Sequence, residues 1–183
     1  MIRAMIAAAL LSLPALAAAG EGNVQPKTPG QTIAGLMSFT APKGWTKDEY
    51  ENADGAEPVL RFEKLSDTVQ IRVFGAPGSD YPTVKEFLAG PAASEEGRPP
   101  EKTGAVTVAG RKLPLYLRRI PLVIQDPHGP RQPQMYGSET FCVLPLRDGR
   151  FAMLAYRRET PAPDMDRRGE KAWAAFLKTV KPK

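Results

Sequence analysis

Cys142 and His128 form the sole nucleophile–base pair this chain could assemble, because it holds one residue of each type. A thiolate nucleophile needs a base within hydrogen-bond reach. His128 stands in Asp126-Pro127-His128-Gly129-Pro130, which reads as an exposed turn. Cys142 lies among Thr140, Phe141, Val143 and Leu144 and reads as a strand residue whose thiol is a small buried hydrophobe. The carboxylate pairs Glu49/Glu51 and Glu95/Glu96 have the chemistry for general acid–base work, but both fall in polar segments and read as solvated. Asp164 and Asp166 suit a helix N-terminus better than a calcium loop.

Motif chemistry is excluded more firmly than it is supported. A single His rules out a two-His metalloprotease helix, and a single Cys rules out an intramolecular disulfide. There is no G-x-x-x-x-G-K-[ST] phosphate loop, no G-x-S-x-G elbow and no S-x-x-K. The expectation is a chain with no catalytic residues, no cofactor and no metal.

Arginine is the remaining chemistry. Arg61, Arg72, Arg118, Arg119, Arg157 and Arg158 fall in or beside predicted strands. Several on one sheet face would attract an anionic partner. Alternation sends Arg118 and Arg119 to opposite faces, and likewise Arg157 and Arg158. Arg61, Arg72, Arg118 and Arg157, with His128, are therefore the candidate partner-contact residues. Glu63, Glu139 and Glu159 are available to pair with the arginines as ordinary strand decoration. The charge of +5 is modest and no basic stretch is interleaved with aromatics, so nucleic acid is not an expected partner.

What must position these residues is a chain of 183 residues, 42% hydrophobic and 25% charged, the proportions of one ordinary globular domain. Residues 1–19 read as a signal peptide: Arg3 is the positive start, Ala4 to Leu13 the apolar stretch, and Ala17 and Ala19 the small residues before a cut ahead of Gly20. The apolar stretch is too short to span a bilayer, which needs about 20 residues. No later segment qualifies, so the expected location is a bacterial periplasm or the outside of the cell. Residues 20–32 read as a flexible lead-in and 33–183 as the folded domain.

Within that domain, Ile33 to Ala41 reads as a strand ending at Pro42-Lys43-Gly44, with Trp45 as a core anchor. Thr46 followed by Glu49 fits a capping box and predicts a brief helical turn. Val59 to Lys64 and Thr68 to Phe74 predict a hairpin; Val69, Ile71 and Val73 alternate with polar residues as in a half-buried strand. Pro82 to Ala89 predicts a helix with Val84, Phe87 and Leu88 on one face and Gly90 as a left-handed cap. Pro91 to Thr103 reads as an exposed loop. Ala105 to Ala109 and Lys112 to Ile124 predict strands turning at Gly110-Arg111, and Pro114 there suggests an edge or a bulge. Gln125 to Gln134 is a second loop. Glu139 to Leu146 and Arg150 to Arg157 flank Asp148-Gly149, a hairpin signal. Asp164 caps a final helix carrying Trp173, Phe176 and Leu177 on its apolar face.

The run Phe39-Thr40-Ala41-Pro42-Lys43-Gly44-Trp45, the Val106-Thr107-Val108-Ala109-Gly110 strand-turn, the Asp148-Gly149 hairpin and the terminal Trp173-Ala174-Ala175-Phe176-Leu177 together resemble the PsbP-like (Mog-type) superfamily. The resemblance spans about residues 36 to 180 and implies an α+β single domain, an antiparallel β-sheet flanked by helices as an α/β/α sandwich. It implies a non-catalytic role exerted by binding. A photosystem-specific N-terminal segment and Ran-binding residues have no counterpart here.

The expected function is an exported, non-catalytic accessory module that binds another protein or an envelope component through Gly90 to Thr103, Gln125 to Gln134 and the arginine-bearing strands. The alternative is a small-ligand carrier with a pocket between sheet and helix, for which Tyr116, Tyr136 and Tyr156 are candidate linings. A third reading is an enzyme using Cys142 or a carboxylate.

Overall fold

The structure, a computed structural model, describes residues 30–51, 57–91, 93–94, 98–122, 135–159 and 168–183, with the side chains of 49–51 set aside. The leader, most of the lead-in, Glu95/Glu96, His128 with its loop, and Asp164 and Asp166 lie outside the described residues.

Ten strands and two α-helices are described. They run β1 (Gln31–Ile33), β2 (Met37–Phe39), β3 (Thr46–Glu51), β4 (Pro58–Lys64), β5 (Asp67–Phe74), α1 (Val84–Ala89), β6 (Glu101–Val108), β7 (Arg111–Pro121), β8 (Tyr136–Pro145), β9 (Phe151–Arg158), α2 (Arg168–Leu177) and β10 (Lys181–Pro182). Seven strands pair antiparallel in the order β3-β4-β5-β9-β8-β7-β6, and β1-β2-β10 form a small second sheet. The expected α+β sandwich is therefore corrected. About half of the described residues are strand, and the sheets dominate the two short helices.

Three segments account for the difference. Thr46 to Glu49 is strand rather than helical turn: Lys47, Asp48 and Glu49 offer no apolar helix stripe, whereas β4 offers an edge that pairs from Thr46↔Glu63 to Glu51↔Pro58. The expected loop up to Thr103 gives up its last residues to β6, which pairs with β7 from Glu101↔Leu117 onward, with a bulge between Lys102 and Gly104. Gln31 and Thr32 join β1, two residues ahead of the expected domain start.

Cross-strand partners share a face, so the registers define two rows. Leu60, Ile71, Leu154, Cys142 and Leu115 cross β4, β5, β9, β8 and β7 on one face. Arg61, Gln70, Ala155, Phe141 and Tyr116 cross the same strands on the other. The first face is roofed by α2 and the small sheet. Phe39 and Phe62 meet Phe176 there at ring-centroid distances of 5.7 and 6.5 Å. The second face carries α1, whose Phe87 packs on Phe74, Phe151 and Phe141 at 4.8, 5.7 and 6.1 Å. With cover on both sides, β5 is buried even at Thr68 and Gln70, not half-buried as its alternation predicted.

The Asp148-Gly149 turn forms as predicted, both residues at positive φ (63° and 75°), with the Leu146 N–H donating to Arg150 O at 2.8 Å. Gly90 does not supply a left-handed cap, because its φ is −87°. A Cβ at that position would lie 2.4 Å from the Tyr81 ring, so glycine is required by close approach. Pro114 lies one residue ahead of the β7–β8 pairing, which begins at Leu115↔Cys142, where its missing N–H costs little.

Phe176 is 2% exposed and joins helix to both sheets. Phe176→Ala is expected to lower unfolding free energy by about 3–5 kcal/mol, read by urea titration.

Candidate ligand-binding site

The four candidate arginines do come to one face. The row Val59, Arg72, Met153 and the row Glu63, Thr68, Arg157, Glu139, Arg118 lie on the side of Arg61. Each guanidinium there meets a carboxylate. Arg72 Nε donates to the fully buried Glu57 at 3.1 Å, and Ser79 Oγ and the Asp80 N–H complete that carboxylate's shell at 2.8 and 3.1 Å. Arg118 Nε donates to buried Glu139 at 2.6 Å and lies over the Phe141 ring. Arg61 pairs with Glu63 at 3.4 Å and Arg157 with Glu159 at 2.9 Å. The face is a lattice of internal ion pairs, and its positive charge is largely offset on the spot. Arg119 and Arg158 point the other way, Arg119 over the Tyr136 ring at 4.9 Å and Arg158 3.6 Å from Asp67.

Cys142 is fully buried between Leu115 and Leu154 on the helix-covered face. Burial pushes its thiol up to about 12, which keeps it protonated and a poor nucleophile at neutral pH. Among the described residues no three His, Cys, Asp or Glu side chains gather into a metal-binding group, and no helix is long and apolar enough to cross a membrane.

The three tyrosines do not share a pocket. Tyr116 stacks on Phe141 on the arginine face, and Tyr136 sits beside Arg119. Tyr156 packs against α2 itself, stacked on Trp173 with its hydroxyl donating to Asp67 Oδ1 at 2.8 Å. Its phenol is held above the usual range, first by burial and then by the hydrogen bond to Asp67 and that carboxylate's charge.

Beside that pair lies a cavity of about 260 Å³ between the sheet and α2. Three local structures build it. The turn Pro42–Trp45, with Gly44 at φ +74° and the Trp45 N–H donating to Pro42 O at 3.4 Å, presents Lys43 and Trp45. The β4–β5 turn presents Lys64, Leu65 and Asp67; Leu65 is 95% exposed and holds a positive φ of 56°. The first turn of α2 adds Arg168, Gly169 and Ala172. Gly169 is a steric necessity, since a Cβ would stand 2.3 Å from Asp67 Oδ2 and 2.6 Å from the Tyr156 hydroxyl.

Charge in this cavity is uneven. Lys43, Lys64 and Arg168 face one carboxylate, Asp67, which Tyr156 and Arg158 already engage. Among the described residues neither Lys43 nor Lys64 makes an ion pair. A second cavity of about 310 Å³ adjoins the first, sharing Lys43, Trp45 and Ala172 and continuing along Ala41, Pro42, Ala175 and Phe176. Of these residues the sequence had drawn notice to Ala41, Pro42, Lys43, Trp45, Ala175 and Phe176, as turn, packing or fold-motif residues and not as a site. Nothing local links Lys43, Lys64 and Arg168, because their meeting depends on the tertiary fold.

Compared with models of known protein families and with curated proteins, the chain matches none.

Two outcomes test this account of the buried groups. Below pH 9 the Cys142 thiol is protonated in both folded and unfolded chains. Above it the unfolded thiol ionises first, so this group removes stability as pH rises from 9.0 toward about 12. The slope is about 1 kcal/mol per pH unit, and Cys142→Ala should reduce it in denaturation series between pH 8 and pH 11 while Tyr156 leaves a residual slope of the same sign. Glu139→Leu strips the carboxylate from half-buried Arg118 and should cost about 2–3 kcal/mol; adding Arg118→Met should restore most of it.

Proposed function

We propose that this protein is an exported, non-catalytic binding domain that carries a small ligand between its large sheet and α2. The observation that carries this is the cavity under the first turn of α2, walled by Trp45 and lined by three cations against one engaged carboxylate. Small-ligand sites are typically concave, apolar-walled and furnished with a few converging polar groups. Export rests on the leader-like residues 1–19 with small residues at Ala17 and Ala19. The absence of enzymatic activity rests on the burial of Cys142 and the lack of catalytic motifs in the sequence. An accessory module contacting a protein or envelope component through the arginine face has less support, because Arg61, Arg72, Arg118 and Arg157 each pair with a carboxylate.

The test is native mass spectrometry of protein purified without denaturation from its own cells, beside Ala172→Trp, whose side chain fills the space shared by both cavities. A small-molecule adduct on the wild type, absent from Ala172→Trp, is expected. The same compound at 100-fold excess over its Kd should raise the wild-type Tm by about 5–10 °C. The proposal falls if there is no adduct and no cell-extract fraction raises the Tm of wild type above that of Ala172→Trp.

A further inference from the structure

The two adjoining cavities differ in chemistry, and the difference identifies the class of ligand. The stretch of α2 that borders them centres on Ala172, which lies four residues from Arg168, three from Ala175 and four from Phe176 and so neighbours each of them on the helix surface. Arg168 marks the cationic end together with Lys43 and Lys64. Ala175 and Phe176 mark an apolar end completed by Ala41 and Pro42. Between them, Ala172 keeps the helix side shallow and Trp45 supplies the opposite wall for both halves. Arg168 and Phe176 are eight residues apart, about 12 Å along the helix axis.

A ligand fitting this trench has a negative head and a narrow apolar body. Two basic side chains without ion pairs among the described residues, joined by a third, favour an anion over a neutral or cationic head. Asp67 stands at the same end, so a singly charged head meets less repulsion than a doubly charged one. The apolar half, about 310 Å³ and open along its length, accommodates one chain rather than the paired chains of a membrane lipid.

We infer that the trench binds a free single-chain alkyl carboxylate, its head among Lys43, Lys64 and Arg168 and its chain along Ala172, Ala175 and Phe176. This rests on reading the trench as a ligand site and adds the class of molecule it takes.

Isothermal titration calorimetry of the full chain, first stripped of bound lipid on a hydrophobic resin, tests it with octanoate, 1-octanol, octyltrimethylammonium and acetate. Octanoate should bind one to one and at least about tenfold more tightly than 1-octanol, a difference of about 1.4 kcal/mol. Acetate and octyltrimethylammonium should bind more weakly still. Raising salt should narrow the gap between octanoate and octanol, since the cations are solvent-exposed. Lys43→Gln with Lys64→Gln, both surface changes that leave the core intact, should cost octanoate about tenfold and leave 1-octanol unchanged. Ala175→Trp, at an exposed helix position, should block both.

Equal binding of octanoate and 1-octanol, or a preference for the ammonium, overturns the carboxylate assignment and leaves the trench as a ligand site. Acetate binding as tightly as octanoate overturns the role of the chain. If none of the four binds and Ala172→Trp also matches wild type in its adducts and Tm, the ligand-site reading falls as well.

Discussion

The approach of α2 to the large sheet is set at one backbone position. Gly169 lies against the Asp67 carboxylate and the Tyr156 hydroxyl so closely that no side chain fits between them. This contact fixes the height of the helix over β5 and β9. From there the next turns place Trp173 against Tyr156 and bring Phe176 into the ring cluster with Phe39 and Phe62. The far end is held by Thr179, which accepts from the Thr40 N–H at 2.9 Å and donates to Phe176 O at 2.7 Å. Pinned at both ends, the helix leaves a trench only along the stripe where its side chains are small.

The sheet's two faces solve the problem of burial differently. The helix side is hydrocarbon throughout its centre, including Cys142 as a methyl-sized filler. The other side mixes the Phe74–Phe87–Phe151 cluster with buried Glu57 and Glu139, each satisfied by an arginine. Burying a carboxylate is costly unless it is paired and hydrogen-bonded, and Glu57 gains both through Arg72, Ser79 and Asp80. Most of the arginines that stood out in the sequence are thus fastenings. The cations that converge on the trench sit at the ends of elements or between them: Lys43 in a turn, Lys64 at the end of β4 and Arg168 at the start of α2.

Local pattern told much about elements and little about architecture. The alternation in 69–73, the Asp148-Gly149 turn and the Trp173/Phe176/Leu177 spacing each report a structure stabilised by nearby residues, and each is present. The Thr46–Glu49 box misled because the vacant edge of β4 outweighs a weak capping preference. The sheet-dominated fold was hidden in part because polar edge segments such as Thr46 to Glu51 and the Glu101 to Gly104 start of β6 carry no hydrophobic period to announce them. Gly90 caps α1 without the left-handed conformation and is required instead for clearance, a distinction that depends on where Tyr81 lies. The trench was illegible for the same reason: Lys64 and Arg168 are far apart in the chain, and their shared charge exists only after the helix docks.

The small sheet carries a consequence for the order of assembly. β2 pairs with β10 and donates from Ser38 to Lys181, 143 residues away. Loop closure on that scale is entropically costly and slow, so β1 and β2 have no stable place until the helix and β10 are available. On a ribosome the early strands would wait for synthesis to pass residue 181. Until then β2 lacks its pairing with β10, so the small sheet is the last part of the described fold to close.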